Sequence, residues 1–202
     1  MKKTKILAVG DIHGDTGLVK KLAKKAKDED VDLIILAGDL TWADQSTKNL
    51  IGPFSKEKKP VLIIPGNHES NSTIDFLSEM YSNAKDIHGR SVVHNGVGIF
   101  GAGSADFGIN MIEDEEIFYL LEKGHKNIKD LKKKIMVTHM HHAGGKSEFS
   151  GWPGSEAITK AVKKFKPDLL ISAHIHEAGG IEEKLGKTKI INVSRKPKIF
   201  EI

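Results

Sequence analysis

The stretch that decides the fold is Ile6-Leu7-Ala8-Val9-Gly10-Asp11-Ile12-His13-Gly14-Asp15, a short apolar run that ends abruptly in glycine, carboxylate and imidazole. Four more runs of the same kind come later in the chain. They are Leu33-Ile34-Ile35-Leu36-Ala37, Val61-Leu62-Ile63-Ile64, Ile135-Met136-Val137 and Leu169-Leu170-Ile171. Each is continuous rather than alternating, the pattern of strands buried on both faces. Between the first two lies Thr16 to Lys27, where Leu18, Val19, Leu22, Ala23 and Ala26 fall on one helical stripe and Asp15 or Thr16 can cap the start. Ser72 to Tyr81 and Ser155 to Phe165 read as further helices. Strand and helix in alternation define an α/β layered fold.

The texture changes after residue 90. Val92-Val93-His94, a turn at Asn95-Gly96, then Val97-Gly98-Ile99-Phe100 reads as a β-hairpin. Gly180 to Ile202 also reads as β, with a turn near Leu185-Gly186-Lys187 and a break at Pro197. A second, partly antiparallel sheet packed on the first is therefore expected, giving a two-sheet α/β sandwich of mixed sheets flanked by helices. The 202 residues fit one domain spanning 1–202. No repeat or interdomain linker interrupts it, and two Gly-rich loops stand out, Ala102 to Met111 and Ala143 to Gly154.

Composition excludes several classes. With 39% hydrophobic and 29% charged residues the chain supports a packed core and is not of the disordered type. The apolar runs fall far short of the roughly twenty residues that span a bilayer, so no membrane partner is expected. Asp11 and His13 interrupt the first run too early for a signal peptide, and cysteine is absent. The chain reads as cytoplasmic. Its net charge of +4 is almost all lysine, with Arg90 and Arg195 the two arginines. Clusters such as Lys20, Lys21, Lys24, Lys25 and Lys27 read as a solvated helix face, so nucleic acid is possible as a partner but not favoured.

The residues just past each apolar run carry the chemistry. After the second comes Gly38-Asp39, after the third Pro65-Gly66-Asn67-His68-Glu69, after the fourth Thr138-His139, and after the fifth Ala173-His174-Ile175-His176. In α/β sheets the carboxyl ends of the strands define the ligand crevice, and here all five ends deliver Asp, Asn or His to it. Oxygen and imidazole donors without sulfur suit Mn²⁺, with Fe²⁺, Zn²⁺, Co²⁺ or Ni²⁺ as alternatives. Asp11, His13, Asp39, Asn67, His139, His174 and His176 are too many for one ion that keeps a solvent position. Two divalent ions sharing a carboxylate, about 3.5–4 Å apart, is the economical solution.

In this order the five motifs resemble those of the calcineurin-like metallophosphoesterases. The run His174-Ile175-His176-Glu177-Ala178-Gly179-Gly180 further resembles small Icc-related phosphoesterases of prokaryotes. The resemblance implies that family's two-sheet α/β sandwich. It also implies that Asp11, His13 and His176 hold the first metal, that Asp39 bridges, and that Asn67, His139 and His174 complete the second. A hydroxide between the metals would attack phosphorus in line, while His68 assists the leaving group and Asn67 also touches phosphate.

Three departures from the family pattern stand out, and the first of them bears on loop geometry and therefore substrate choice. His-x-Pro-Pro appears as His139-Met140-His141-His142, Ala173 stands where glycine usually precedes the histidine pair, and Asn-Pro-Gly appears as Asn192-Val193-Ser194. His141, His142, Lys146 and Trp152 are candidate substrate contacts, with Arg195 a further basic residue to watch for phosphate; Trp42 and Trp152 can wall the pocket or stack on a base, core packing being the favoured role for Trp42. Asp15 and Glu69 read as helix caps or as partners that orient ligating imidazoles. His88, His94 and His125 read as ordinary surface or turn residues. Neither Gly38-Asp39-Leu40-Thr41-Trp42-Ala43 nor the Pro65 motif carries an arginine, the residue with which the superfamily's protein phosphatases grip a phosphomonoester dianion. The expectation is a phosphodiesterase acting on a small diester such as a cyclic nucleotide. A phosphomonoesterase, a nuclease (which usually carries an added cap domain) and a non-catalytic metal-binding scaffold are the alternatives. Oligomeric state is left open.

Overall fold

The computed structural model describes residues 3–202. Its strands are β1 (Lys5–Val9), β2 (Leu33–Ala37), β3 (Val61–Ile64), β4 (Ala84–Asp86), β5 (Ser91–His94), β6 (Val97–Ala102), β7 (Lys133–Thr138), β8 (Leu169–Ser172), β9 (Glu182–Leu185), β10 (Thr188–Asn192) and β11 (Lys198–Glu201). The α-helices are α1 (Thr16–Asp28), α2 (Gly52–Lys56), α3 (Asn71–Met80), α4 (Asp114–Lys126) and α5 (Glu156–Phe165). Two sheets form, in the orders β11-β1-β2-β3-β4 and β5-β6-β7-β8-β10-β9. The central strands are parallel, and antiparallel partners (β11 in one sheet, β5 and β9 in the other) lie at the edges.

The continuous apolar runs have a simple cause. Along β1, Leu7 and Val9 face α1, while Ile6 and Ala8 face the second sheet. The same division applies to Ile34 and Leu36 against Leu33 and Ile35 on β2. The middle layer brings Ile35 and Ile64 against Val137 and Ile171, and α4 and α5 cover the outer face of the second sheet through Leu121, Ile158 and Val162. Alternate side chains of each central strand thus enter different apolar layers, so none can be polar without burying an unpaired group. The caps follow the sequence: Asp15 accepts from the Leu18 amide at α1, Ser70 from Thr73 at α3 and Ser155 from Ile158 at α5.

Two expectations need correction. The C-terminal β segment divides: β9 and β10 extend the second sheet, but β11 crosses to pair with β1 in the first, registering Leu7 with Ile199. Helix α4 was not foreseen, although Ile117, Leu120, Leu121 and Gly124 are buried at helical spacing, with acids in its first turn and Lys123, His125 and Lys126 in its last. No helix among the described residues is long and apolar enough to cross a membrane.

Candidate metal centre

The two sheets meet where the parallel strands end. A side chain on Gly10 would collide with Ala173, and Gly10 forms a bridge with Ser194. Ala173 itself has no left-handed backbone, so replacing the usual glycine there brings no strain; the close approach is made by Gly10 instead. Small residues at this seam let the turns after β1, β2, β3, β7 and β8 converge on one point.

Those turns are tight enough to force unusual backbone. Asp11 (φ 57), His13 (φ 47), Asp39 (φ 53) and His174 (φ 69) all lie in the left-handed region. Side chains with a Cβ occupy it at a cost of about 1–3 kcal/mol each, and such residues cluster at sites where surrounding contacts fix them. Here the contacts are visible. Asp11 Oδ2 accepts from the His174 amide at 3.0 Å and the Ser194 hydroxyl at 2.6 Å. Asp39 Oδ1 accepts from the His68 amide at 3.0 Å. Gly66 must be glycine, because a Cβ there would overlap the Asp39 carboxyl.

Each carboxylate therefore has one oxygen fixed by the protein and the other turned inward. Asp39 Oδ2 lies 3.6 Å from His13 Nε2 and 3.5 Å from His139 Nε2. One oxygen thus faces two donor sets. On one side stand Asp11, His13 and His176, with His13 Nε2 3.1 Å from His176 Nε2 and His176 Nε2 3.4 Å from Asp11 Oδ1. On the other, His139 Nε2 lies 3.1 Å from His174 Nδ1 and 3.2 Å from Asn67 Oδ1.

His139 is pinned through Nδ1, 2.9 Å from the Ala37 carbonyl oxygen. A carbonyl can only accept, so Nδ1 carries hydrogen and Nε2 presents its second function to the cluster.

The donor set fits divalent ions. Neighbouring ligands about 2.1 Å from one ion sit roughly 3–3.4 Å apart, close to the nitrogen and oxygen separations above. Asp11 Oδ1 is buried with no hydrogen-bond partner. Asp11 and Asp39 are 0% and 2% exposed, and among the described residues no lysine or arginine pairs with either. Two buried carboxylates without a fixed cation would be costly, so the cluster calls for bound positive charge. Burial opposes ionisation of both. The neighbouring His176 and the charge of His139 nevertheless hold Asp11 low, and His139 beside Asp39 holds that carboxyl well below the usual range. Burial likewise opposes a charged His139, but the two carboxylates raise it to about 10, and a bound ion would take the place of that proton. Burial and the neighbouring His139 push His174 down to about 3, which keeps its ring neutral with one nitrogen free to ligate.

Glu69 caps no helix; its carboxylate accepts from the amides of Gly66 at 2.7 Å and of Leu40 and Thr41 at 3.2 Å each, lacing the Asp39 and Asn67 turns together. Burial and the charge of Asp39 raise it to about 7. Ser194 escaped the sequence reading, and its signal was the altered Asn192-Val193-Ser194 triplet. Asn192 Oδ1 accepts from the Ser194 amide at 2.9 Å, and its amide donates to the Ala173 carbonyl at 3.1 Å, placing the hydroxyl beside Asp11.

Above the cluster lies a cleft of about 230 Å³ walled by His13, Asp39, Asn67, His68, His174 and His176 together with Trp42, Phe107, Trp152, Ile175 and Glu177. Trp42 is not in the core: it is 52% exposed and stacked on His68, because the turn after Asp39 carries it over the ring. Of the four residues expected to touch substrate, Trp152 lines this cleft. His141 and His142, within the loop after β7, are buried and lie outside its walls, and the Lys146 amide and ammonium turn towards Glu183 and the Glu182 carbonyl. His88 and His125 are half-buried rather than free at the surface, with His88 Nδ1 accepting from the Gly103 amide and His125 stacked on Phe165.

The model of the calcineurin-like phosphoesterases matches residues 4–178, and the chain belongs to that family. Among solved structures, the protein TT1561 of Thermus thermophilus shares the fold over 98% of this chain and 99% of its own, with TM-score 0.78 and 20% identity. A dimetal phosphatase from Danio rerio matches 95% of this chain and 87% of its own, at TM-score 0.65 and 12% identity. An archaeal protein described as a novel phosphodiesterase covers 98% and 99%, at TM-score 0.57 and 17% identity. At these identities the likeness is one of fold. A search of curated protein sequences finds no match. The chain is thus a calcineurin-like metallophosphoesterase whose Asp and His clusters could hold the two divalent ions that family implies.

Proposed function

We propose that this chain is a phosphodiesterase that uses two divalent ions, Mn²⁺ first among them, held by Asp11, His13 and His176 on one side and Asn67, His139 and His174 on the other, with Asp39 shared. The observation that carries the two-ion reading is the single oxygen, Asp39 Oδ2, lying 3.6 Å and 3.5 Å from the two histidine sets. When bound, the ions would supply Lewis-acid charge and acidified water for displacement at phosphorus.

The chain's own groups do the rest. His139, held by the Ala37 carbonyl, and Asp11, held by Ser194, fix the donors so that little reorganises during reaction. Asn67 aims its carbonyl oxygen at His139 and keeps an amide available to a phosphate oxygen. His68 Nε2, 4.0 Å from Asp39 Oδ2, is the atom that gives a proton to the departing oxygen; its ring is oriented by stacking with Trp42 rather than locked by hydrogen bonds at Nδ1.

The preference for diesters rests on charge. Among the described residues no lysine or arginine lines the cleft, whereas a monoester dianion profits from a guanidinium fork. Fold does not choose, since the fold neighbours include proteins described as a phosphatase and as a phosphodiesterase. The test is to strip the protein with chelator, restore Mn²⁺, and compare bis-p-nitrophenyl phosphate with p-nitrophenyl phosphate. Faster metal-dependent cleavage of the diester is expected. Preference for the monoester would overturn the charge argument. No turnover of either, with metal bound, would leave a metal-binding scaffold.

A further inference from the structure

Beyond the donors, the cleft presents aromatic faces at both donor sets. Trp42 lies over His68 with centroids 4.5 Å apart and planes at 28°. At the other set, Phe107 is stacked on Trp152 at 4.6 Å and 15°, and its ring also meets His174 at 4.7 Å. A column of rings therefore leads from His174 outward through Phe107 to Trp152. Despite these contacts, Trp42 is 52% and Trp152 51% exposed. Leaving half of two indoles in water beside a cluster of ligands is an unfavourable use of apolar area unless something covers them.

The charge of the walls narrows what that is. Among the described residues, beyond the donors and His68, the one charged wall is Glu177, which is exposed, and no lysine or arginine is in the lining. A second phosphate would meet a carboxylate on the walls, while Arg195, whose charge reaches His176, stands outside the lining. A flat, uncharged ring would meet indole and phenyl faces. Loop chemistry agrees: Trp42 follows Asp39 by three residues, and Phe107 and Trp152 come from the two Gly-rich loops, so all three ride on turns already tied to the donors.

We propose that Trp42 and the Phe107–Trp152 pair form the binding site for an aromatic ring of the ester, an aryl or nucleobase group carried next to the reacting phosphorus. The proposal deepens the phosphodiesterase reading and rests on it for the placement of phosphorus. Stacking of this kind contributes roughly tenfold or more in affinity per ring.

Trp42 and Trp152 are the protein's two tryptophans, so its indole fluorescence reports on this cleft alone. Methyl phenylphosphonate, methyl butylphosphonate and methyl octylphosphonate, monoanions that differ in the apolar group, are titrated into zinc-reconstituted protein. The phenyl compound should quench and bind roughly tenfold more tightly than the butyl compound. Trp42→Ala and Trp152→Ala should each remove most of that preference, read from the remaining indole. Trp152→Phe, which keeps a ring, should restore it. Adenosine that displaces the phenyl compound assigns the ring as a nucleobase, and adenosine that does not assigns it as a simple aryl group.

Equal affinity for butyl or octyl and phenyl compounds would overturn the proposal, as would alanine variants that keep the phenyl preference. The two readings fail separately. Phenyl preference without hydrolysis of any ester removes the phosphodiesterase and keeps the ring site. Diester turnover without phenyl preference does the reverse.

Discussion

Replacing Ser194 by alanine should weaken one metal site and spare the other. Ser194 is 0% exposed, and its hydroxyl donates to Asp11 Oδ2 at 2.6 Å. After truncation Asp11 keeps the His174 amide at 3.0 Å as its remaining donor on that oxygen. Removing one oxygen atom opens far less than the roughly 30 Å³ a water claims in the liquid, so solvent cannot replace the lost donor. A hydrogen bond to a charged acceptor contributes about 1.5–3 kcal/mol. The lower end applies, because the second donor still orients the carboxylate. That is about tenfold in affinity, at the gentle end of what removing an outer partner of a metal ligand does. The assay is a calorimetric titration of chelator-stripped protein with Mn²⁺, resolved into two binding events. The event involving Asp11, His13 and His176 should shift about tenfold, and that involving Asn67, His139 and His174 should not move. An affinity within twofold of the wild type, or equal weakening of both events, would refute the claim that Ser194 orients Asp11.

Three further outcomes are expected from the same geometry. His68→Ala should keep its metal content, measured by elemental analysis, while turnover of a diester falls by about 10²–10⁴; unchanged turnover would remove His68 from proton transfer. Gly66→Ala should lose metal at both sites, because its Cβ would overlap the carboxyl of the shared Asp39, and full occupancy would contradict that crowding. His88 governs an acid-side loss of stability remote from the donors. Burial lowers it to about 4 in the folded chain, against an ordinary value of 6.5. The unfolded chain therefore takes up the proton first, and stability present above pH 6.5 is lost as pH falls towards 4, by at most on the order of 3 kcal/mol. Urea unfolding at both ends of that window should show the loss in the wild type and a smaller one in His88→Gln.

The strands and their chemistry were legible because both depend on local order along the chain. A strand buried on two faces must be apolar without interruption, so Leu33–Ala37 and Val61–Ile64 announce their own limits. The candidate donors are legible because each sits directly after such a run, where the chain leaves the sheet. Ser155 shows the same economy at a helix, since a cap needs only residues three apart. Helix α4 was equally local, yet its apolar stripe lies among charged residues and reads easily as surface.

What sequence could not decide depends on residues far apart in number meeting in space. Which sheet takes β11 is set by the open edge of β1, nearly two hundred residues earlier in the chain. Ser194 matters through Asp11, and Glu69 through Leu40 and Thr41, partners no local pattern points to. Trp42, directly after the Asp39 motif, reads as either pocket wall or core, and the choice falls to the cleft once the turn after Asp39 is seen to swing it over His68. The sequence by itself determined the layered α/β fold and the set of candidate donors, because burial and chain exit points are properties of short segments. Tertiary structure alone decided that one oxygen of Asp39 faces both donor sets, and which aromatic rings wall the cleft, because those facts are distances between turns on different strands.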